Sequence, residues 1–175
     1  MWNEELFTKT MLFAIDKHKN QVMKYPENMP YSAHIFGVTE RLINNAIKDE
    51  QDFDWNLAIQ VALLHDTLED TDTSYDELVD NFGRQVADGV LAVTKNDNLP
   101  KEMQMKDCIV RIKNQPKEIA MVKLADRLFN IDGRVPTWST EKQEAYKKEA
   151  IMICDELGFA SKGLEKALKT AIENY

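Results

Sequence analysis

The chain has 175 residues, 43% hydrophobic and 30% charged, with six glycines and five prolines, which excludes a disordered, collagen-like or low-complexity polypeptide. At that length one domain, residues 1–175, buries roughly 70% of the surface its unfolded chain exposes, so folding needs no disulfide or structural metal. Thirty acidic against twenty-two basic side chains leave a net charge of −8, whose field repels polyanions and argues against a nucleic-acid partner held by phosphate neutralisation.

Apolar residues recur at intervals of three and four nearly throughout, and no strict alternation is bounded by hairpin turn signals, so an all-α fold of about nine helices is predicted. The first helix is predicted from about Asn3 to Val22, with Phe7, Met11, Ala14, Ile15, His18 and Val22 on one face, and the segment Tyr25 to Pro30 ends it. A second starts near Ser32 and turns His34, Ile35, Val38, Leu42 and Ala46 inward. The third, from about Asp54 to Glu69, buries Trp55, Ala58, Ile59 and Ala62. Ser74 and Glu77 form a capping-box pattern that opens a short helix stopping at Gly83. Helices over Gln85 to Thr94, Lys101 to Asn114 and Lys117 to Ile131 follow, then a loop from Asp132 to Pro136, then helices over Thr140 to Leu157 and Ser161 to Asn174.

The longest uninterrupted apolar runs, Met11 to Ile15 and Ala150 to Cys154, fall far short of the ~20 residues that span a bilayer. Glu4 and Glu5 near the amino terminus do not fit a signal peptide, and Cys108 and Cys154 lie too far apart in sequence for a metal or redox motif. These features point to a cytoplasmic protein with no membrane partner. They leave the oligomeric state open.

The chemistry concentrates in Val61 to Thr71, where His65, Asp66, Glu69 and Asp70 end the most apolar helix of the chain. On a continuous helix, His65 stands over Glu69 and Asp66 over Asp70. So many carboxylates at the end of a buried helix are costly unless a cation neutralises them, which points to a divalent metal bound in part by His65 and Asp66. Two such ligands are too few. His34 lies on an apolar helix face, and Asp126 is a lone acid in the buried pattern Ile119 to Phe129, so these two complete the candidate set. Singly, His34 also reads as a satisfied helix histidine, Asp126 as a structural ion pair, and Glu69-Asp70 as a helix-end cap. Their combination favours a metal, and imidazole with carboxylate and no thiolate suits Mn²⁺, Fe²⁺ or a related ion with open positions.

The motifs Tyr31-Ser-Ala-His34, Ala62-Leu-Leu-His65-Asp66-Thr-Leu-Glu69-Asp70-Thr71, Phe82-Gly83, Val93-Thr94-Lys95 and Lys123-Leu-Ala-Asp126-Arg-Leu-Phe-Asn130 resemble the HD-type hydrolase domain of the RelA/SpoT family. His18-x-x-Gln21 and Trp138-Ser139 followed by Tyr146 make the chain similar to the single-domain small alarmone hydrolases, including the metazoan SpoT homologues. The resemblance implies an all-helical HD fold with one Mn²⁺ held by His34, His65, Asp66 and Asp126. It implies Glu69 and Asp70 as the catalytic acid pair, and Lys24, Asn130 and Tyr146 as residues lining a nucleotide site. The reaction it implies is removal of the 3′-pyrophosphate from guanosine 3′,5′-polyphosphates.

Two positions depart from the family pattern. Met23 stands where an arginine is usual, and Ile131-Asp132 where a basic residue is common, with Arg134 following. Both concern the nucleotide periphery and not the metal set. The alternatives to alarmone hydrolysis are therefore an HD phosphohydrolase acting on another nucleotide, such as NADPH or a deoxynucleotide, and an alarmone-binding module without turnover.

Overall fold

A computed structural model describes residues 2–49, 51–132 and 138–175. Among these residues all regular structure is helical, apart from one isolated bridge between Val22 and Pro30. Nine α-helices have eight or more residues: α1 (Glu4–Lys17), α2 (Ser32–Ala46), α3 (Trp55–Leu64), α5 (Tyr75–Phe82), α6 (Arg84–Val93), α7 (Lys101–Lys113), α8 (Lys117–Asp132), α9 (Thr140–Leu157) and α10 (Lys162–Asn174). A single turn, α4 (Thr67–Asp70), lies between α3 and α5, and a 3-10 turn (Gly158–Ala160) joins α9 to α10. Positions 133–136 of the predicted loop, Arg134 included, lie outside the described residues.

Local chemistry sets most helix starts. The side chains of Asn3, Asp54, Ser74, Ser139 and Ser161 each accept a backbone N–H in the first turn of α1, α3, α5, α9 and α10. The hydrophobic interior is continuous. Every α3 residue from Leu57 to Leu64 is buried, and α8 packs against α2, α3, α6, α9 and α10. The two most enclosed helices therefore carry His65-Asp66 and Asp126 into the same interior.

Two predicted boundaries are corrected. α1 ends at Lys17, not Val22, because Lys19 and Gln21 bond back to carbonyls only three residues earlier and the chain enters the Val22–Pro30 bridge. Val22 is consequently 59% exposed instead of sharing the buried face. The predicted helix from Asp54 to Glu69 breaks at His65-Asp66. There His65 Nδ1 donates to the Ala62 carbonyl (2.8 Å) and Thr67 Oγ1 to the Leu64 carbonyl (2.7 Å). These side chains satisfy the helix-end carbonyls that following backbone N–H groups would otherwise take.

Candidate active site

The break in α3 aims two adjacent side chains at one point, and His34, on the buried face of α2, meets them. His34 Nε2 and His65 Nε2 are 3.1 Å apart, and Asp66 Oδ2 lies 3.2 Å from the first and 3.0 Å from the second. Bonds of about 2.1 Å to an octahedral ion separate neighbouring ligand atoms by about 3.0 Å, so the three atoms have the spacing of one octahedral face. The donors fit a divalent cation in chemistry as well as in spacing. Asp126 Oδ1 faces the same imidazoles from α8, at 3.8 and 3.9 Å from their Nε2 atoms, a slightly wider approach.

Surrounding groups orient these atoms. Because a carbonyl can only accept, the His65 contact to Ala62 keeps the proton on Nδ1 and presents Nε2 to the cluster, the outer-shell arrangement usual for a metal-binding imidazole. The Phe129 ring meets His34 edge-on at 5.1 Å, and it fits only because Gly37 has no side chain: a Cβ there would stand 2.0 Å from the ring. Asp126 accepts from Lys123 Nζ (3.2 Å) and from the Asn130 amide (2.6 Å). Burial lowers the pKa of His65, but Asp66, reinforced by Asp126, outweighs it and pushes the value up to about 9. Burial likewise disfavours the charged forms of the two aspartates, yet the imidazoles hold Asp66 well below the usual range and Lys123 with His65 holds Asp126 at about 2. The metal-free cluster thus consists of carboxylates with a protonated imidazole standing in for a cation.

The sequence pattern of the HD domain matches residues 11–159, a span that contains all of these side chains. The chain belongs to the HD-domain family. Among the relatives of this HD-domain protein, guanosine-3′,5′-bis(diphosphate) 3′-pyrophosphohydrolase MESH1 of Mus musculus is 37% identical over 92% of this chain and 89% of its own length. The guanosine-3′,5′-bis(diphosphate) 3′-pyrophosphohydrolase of Aquifex aeolicus is 34% identical over 81% of this chain, which spans only 19% of that longer protein. A solved structure of a metazoan orthologue of SpoT, described as hydrolysing ppGpp, aligns with a TM-score of 0.85 at 26% identity, covering 99% of this chain and 97% of the other.

The acid pair of this HD-domain protein splits. Asp70 stays over Asp66, as a continuous helix would place it, and the Tyr31 hydroxyl lies 2.6 Å from Asp66 Oδ2 and 3.2 Å from Asp70 Oδ2. Partial burial, followed by repulsion from Asp66 and Glu69, raises the Asp70 pKa. Glu69 does not stand over His65. The break rotates it toward the end of α6, where it accepts from the Lys95 backbone N–H (3.1 Å) and from Lys95 Nζ (3.2 Å).

Of the predicted nucleotide contacts, Asn130 is exposed one turn beyond Asp126 and uses its amide on that carboxylate. Tyr146 is half-buried on α9, with its ring 4.1 Å below the Arg127 guanidinium and edge-on to Trp138 at 5.1 Å. Burial pushes its phenol up to about 12. Lys24 lies exposed in the loop between α1 and α2 and makes no hydrogen bond or ion pair among the described residues. Sequence reasoning missed Lys95 and Lys123 as partners of the acids. The i,i+3 spacing of Lys123 and Asp126 within a buried pattern was the available signal for one of them.

Proposed function

We propose that this HD-domain protein is a cytoplasmic Mn²⁺-dependent guanosine 3′,5′-bis(diphosphate) 3′-pyrophosphohydrolase, working as one hydrolase domain over residues 1–175. In this reading His34, His65, Asp66 and Asp126 hold the ion, Glu69 and Asp70 handle protons, and Lys24, Asn130 and Tyr146 line the nucleotide site. The observation that carries it is the convergence of two Nε2 atoms and Asp66 Oδ2 within 3.2 Å, with Asp70 linked to the same carboxylate through Tyr31. The MESH1 relatives supply the substrate class. Nitrogen and oxygen donors without thiolate suit Mn²⁺.

When bound, such an ion supplies Lewis acidity, making water acidic near neutral pH and polarising a phosphoryl oxygen. Hydrolysis breaks the bond between the ribose 3′ oxygen and its phosphorus; water loses a proton and the ribose oxygen gains one. Asp70, open to solvent on one side and with its pKa raised, is placed to move that proton. Glu69 is held beside it by the Lys95 backbone N–H and Nζ.

The decisive assay is product analysis by ion chromatography. Purified protein with Mn²⁺ is expected to convert ppGpp to GDP and pyrophosphate, to stop in chelator, and to lose about 10²–10⁴ in kcat in Asp70→Asn. Turnover that survives chelation, or a fully active Asp70→Asn, refutes the reading. Met23 offers no charge to a phosphate, which favours a second reading in which the substrate is another nucleotide, such as NADPH or a deoxynucleotide. A substrate panel separates the two, and binding of ppGpp without product would identify a non-catalytic alarmone-binding module.

A further inference from the structure

We infer that Tyr31 is a positioning residue of this site, its hydroxyl bridging the carboxylates of Asp66 and Asp70 and so fixing where Asp70 stands relative to the metal cluster. The inference rests on the proposed hydrolase reading for Asp70 and on the geometry for Tyr31. The hydroxyl is within hydrogen-bond distance of both acids, and the Asp66 oxygen it meets is the one facing the two imidazoles. A phenol has one proton, so a single group is shared between the two carboxylates.

The ring has little freedom to leave this position. His18 stacks on one side, with centroids 4.9 Å apart and planes at 26°, and His34 meets it at 5.2 Å. The loop between α1 and α2 is closed behind it. The Tyr31 backbone N–H donates to the Gln21 carbonyl (3.0 Å), and His18 Nδ1 meets Gln21 Oε1 (2.7 Å). The Gln21 side-chain amide in turn donates to the backbone carbonyl of Asp70. Asp70 is thereby held twice by one segment, at its carboxylate through Tyr31 and at its backbone through Gln21. His18 is 2% exposed, and its Nε2 has no partner among the described residues.

The test is a double-mutant cycle of Tyr31→Phe and Asp70→Asn with Mn²⁺ affinity measured alongside. Tyr31→Phe keeps every ring contact and removes only the hydroxyl. Outer-shell partners typically account for about 10–100-fold in activity or metal affinity. At saturating Mn²⁺, Tyr31→Phe is expected to lower kcat at least ~10-fold, with KM within about threefold. Adding it to Asp70→Asn is expected to cost less than about twofold more. Mn²⁺ affinity by calorimetry is expected to fall about tenfold, because Asp66 loses a donor. Excess Mn²⁺ restoring full kcat, or the two losses multiplying, overturns the inference. If the wild-type protein turns over no nucleotide, the functional reading fails, and the affinity arm alone decides: unchanged Mn²⁺ affinity in Tyr31→Phe then overturns the positioning role.

Discussion

Asp126 has two possible employers in this structure, and substituting it together with Lys123 separates them. Its carboxylate pairs with Lys123 Nζ at 3.2 Å, with both side chains almost enclosed at 13% and 7% exposure, while its other oxygen faces the imidazoles of His34 and His65. Asp126→Asn leaves a buried ammonium without a counter-charge, a loss of about 3 kcal/mol at the lower end of the range for breaking a buried pair, since asparagine still accepts a hydrogen bond. For a chain of this size that is roughly 6–12 °C in melting temperature. The combined variant Asp126→Asn/Lys123→Met removes the stranded charge with similar volume and is expected to recover most of that stability. Mn²⁺ affinity should behave oppositely. A lost ligand is not restored by the second substitution, so the double variant should remain more than ~100-fold weaker, beyond what an outer-sphere partner costs. Thermal melts in chelator and calorimetric Mn²⁺ titrations on the parent and the two variants give both quantities. If the double variant binds Mn²⁺ within about tenfold of the parent, Asp126 is the counter-ion of Lys123 and not a ligand.

Mn²⁺ binding should release a proton. The metal-free His65, with its pKa at about 9, is protonated at pH 7, and its Nε2 must deprotonate to bind an ion. Apparent affinity is therefore expected to rise about tenfold per pH unit below that value and to level above it. The metal-free fold gains most from this proton below pH ~6.5 and loses the gain as pH rises through about 9. Titrations in buffers of different ionisation enthalpy count the proton, and a pH-independent affinity refutes the assignment. Gly163→Ala probes packing away from the cluster: its Cβ would stand 1.7 Å from the Asn45 carbonyl oxygen, a backbone contact beside the Asp49 carboxylate that accepts from Ser161 Oγ and Gly163 N. Overpacking of about 1–3 kcal/mol or more is expected, or at least ~2 °C in a thermal melt. Mn²⁺ affinity should be unchanged, and an unaltered melt refutes the close approach of α10 to α2.

The helices were legible because periodicity and caps agree. Ser74 and Ser161 read as starts in sequence and cap in the structure. His34 and Asp126 were legible for a different reason: an ionisable group in a buried pattern needs a partner, and few partners were available. The break at His65-Asp66 was not legible. No glycine or proline marks it, and the apolar run of α3 leads straight into it. The helix ends there because His65 and Thr67 bond its last carbonyls, contacts that depend on rotamers and not on composition. The rotation of Glu69 toward Lys95 follows from that break and was hidden with it. Tyr31 was legible only as part of the motif Tyr31-Ser-Ala-His34, and its role was not, since a tyrosine before a helix reads as packing until the hydroxyl's neighbours are known.

Charge then links the site to its substrate. Asp66, Asp126, Glu69 and Asp70 place four carboxylates around the cluster against Lys95 and Lys123, and each lysine is already engaged by one acid. With His65 protonated in the absence of an ion, this amounts to a formal −1 within a chain of −8, a field that repels a polyphosphate before any chemistry begins. A divalent ion that displaces that proton brings the local sum to zero. In the proposed reading the metal is therefore needed to admit the nucleotide as well as to hydrolyse it. Chelation should accordingly abolish nucleotide binding along with turnover, and a metal-free protein that still bound ppGpp tightly would show that the anion is held somewhere other than this cluster.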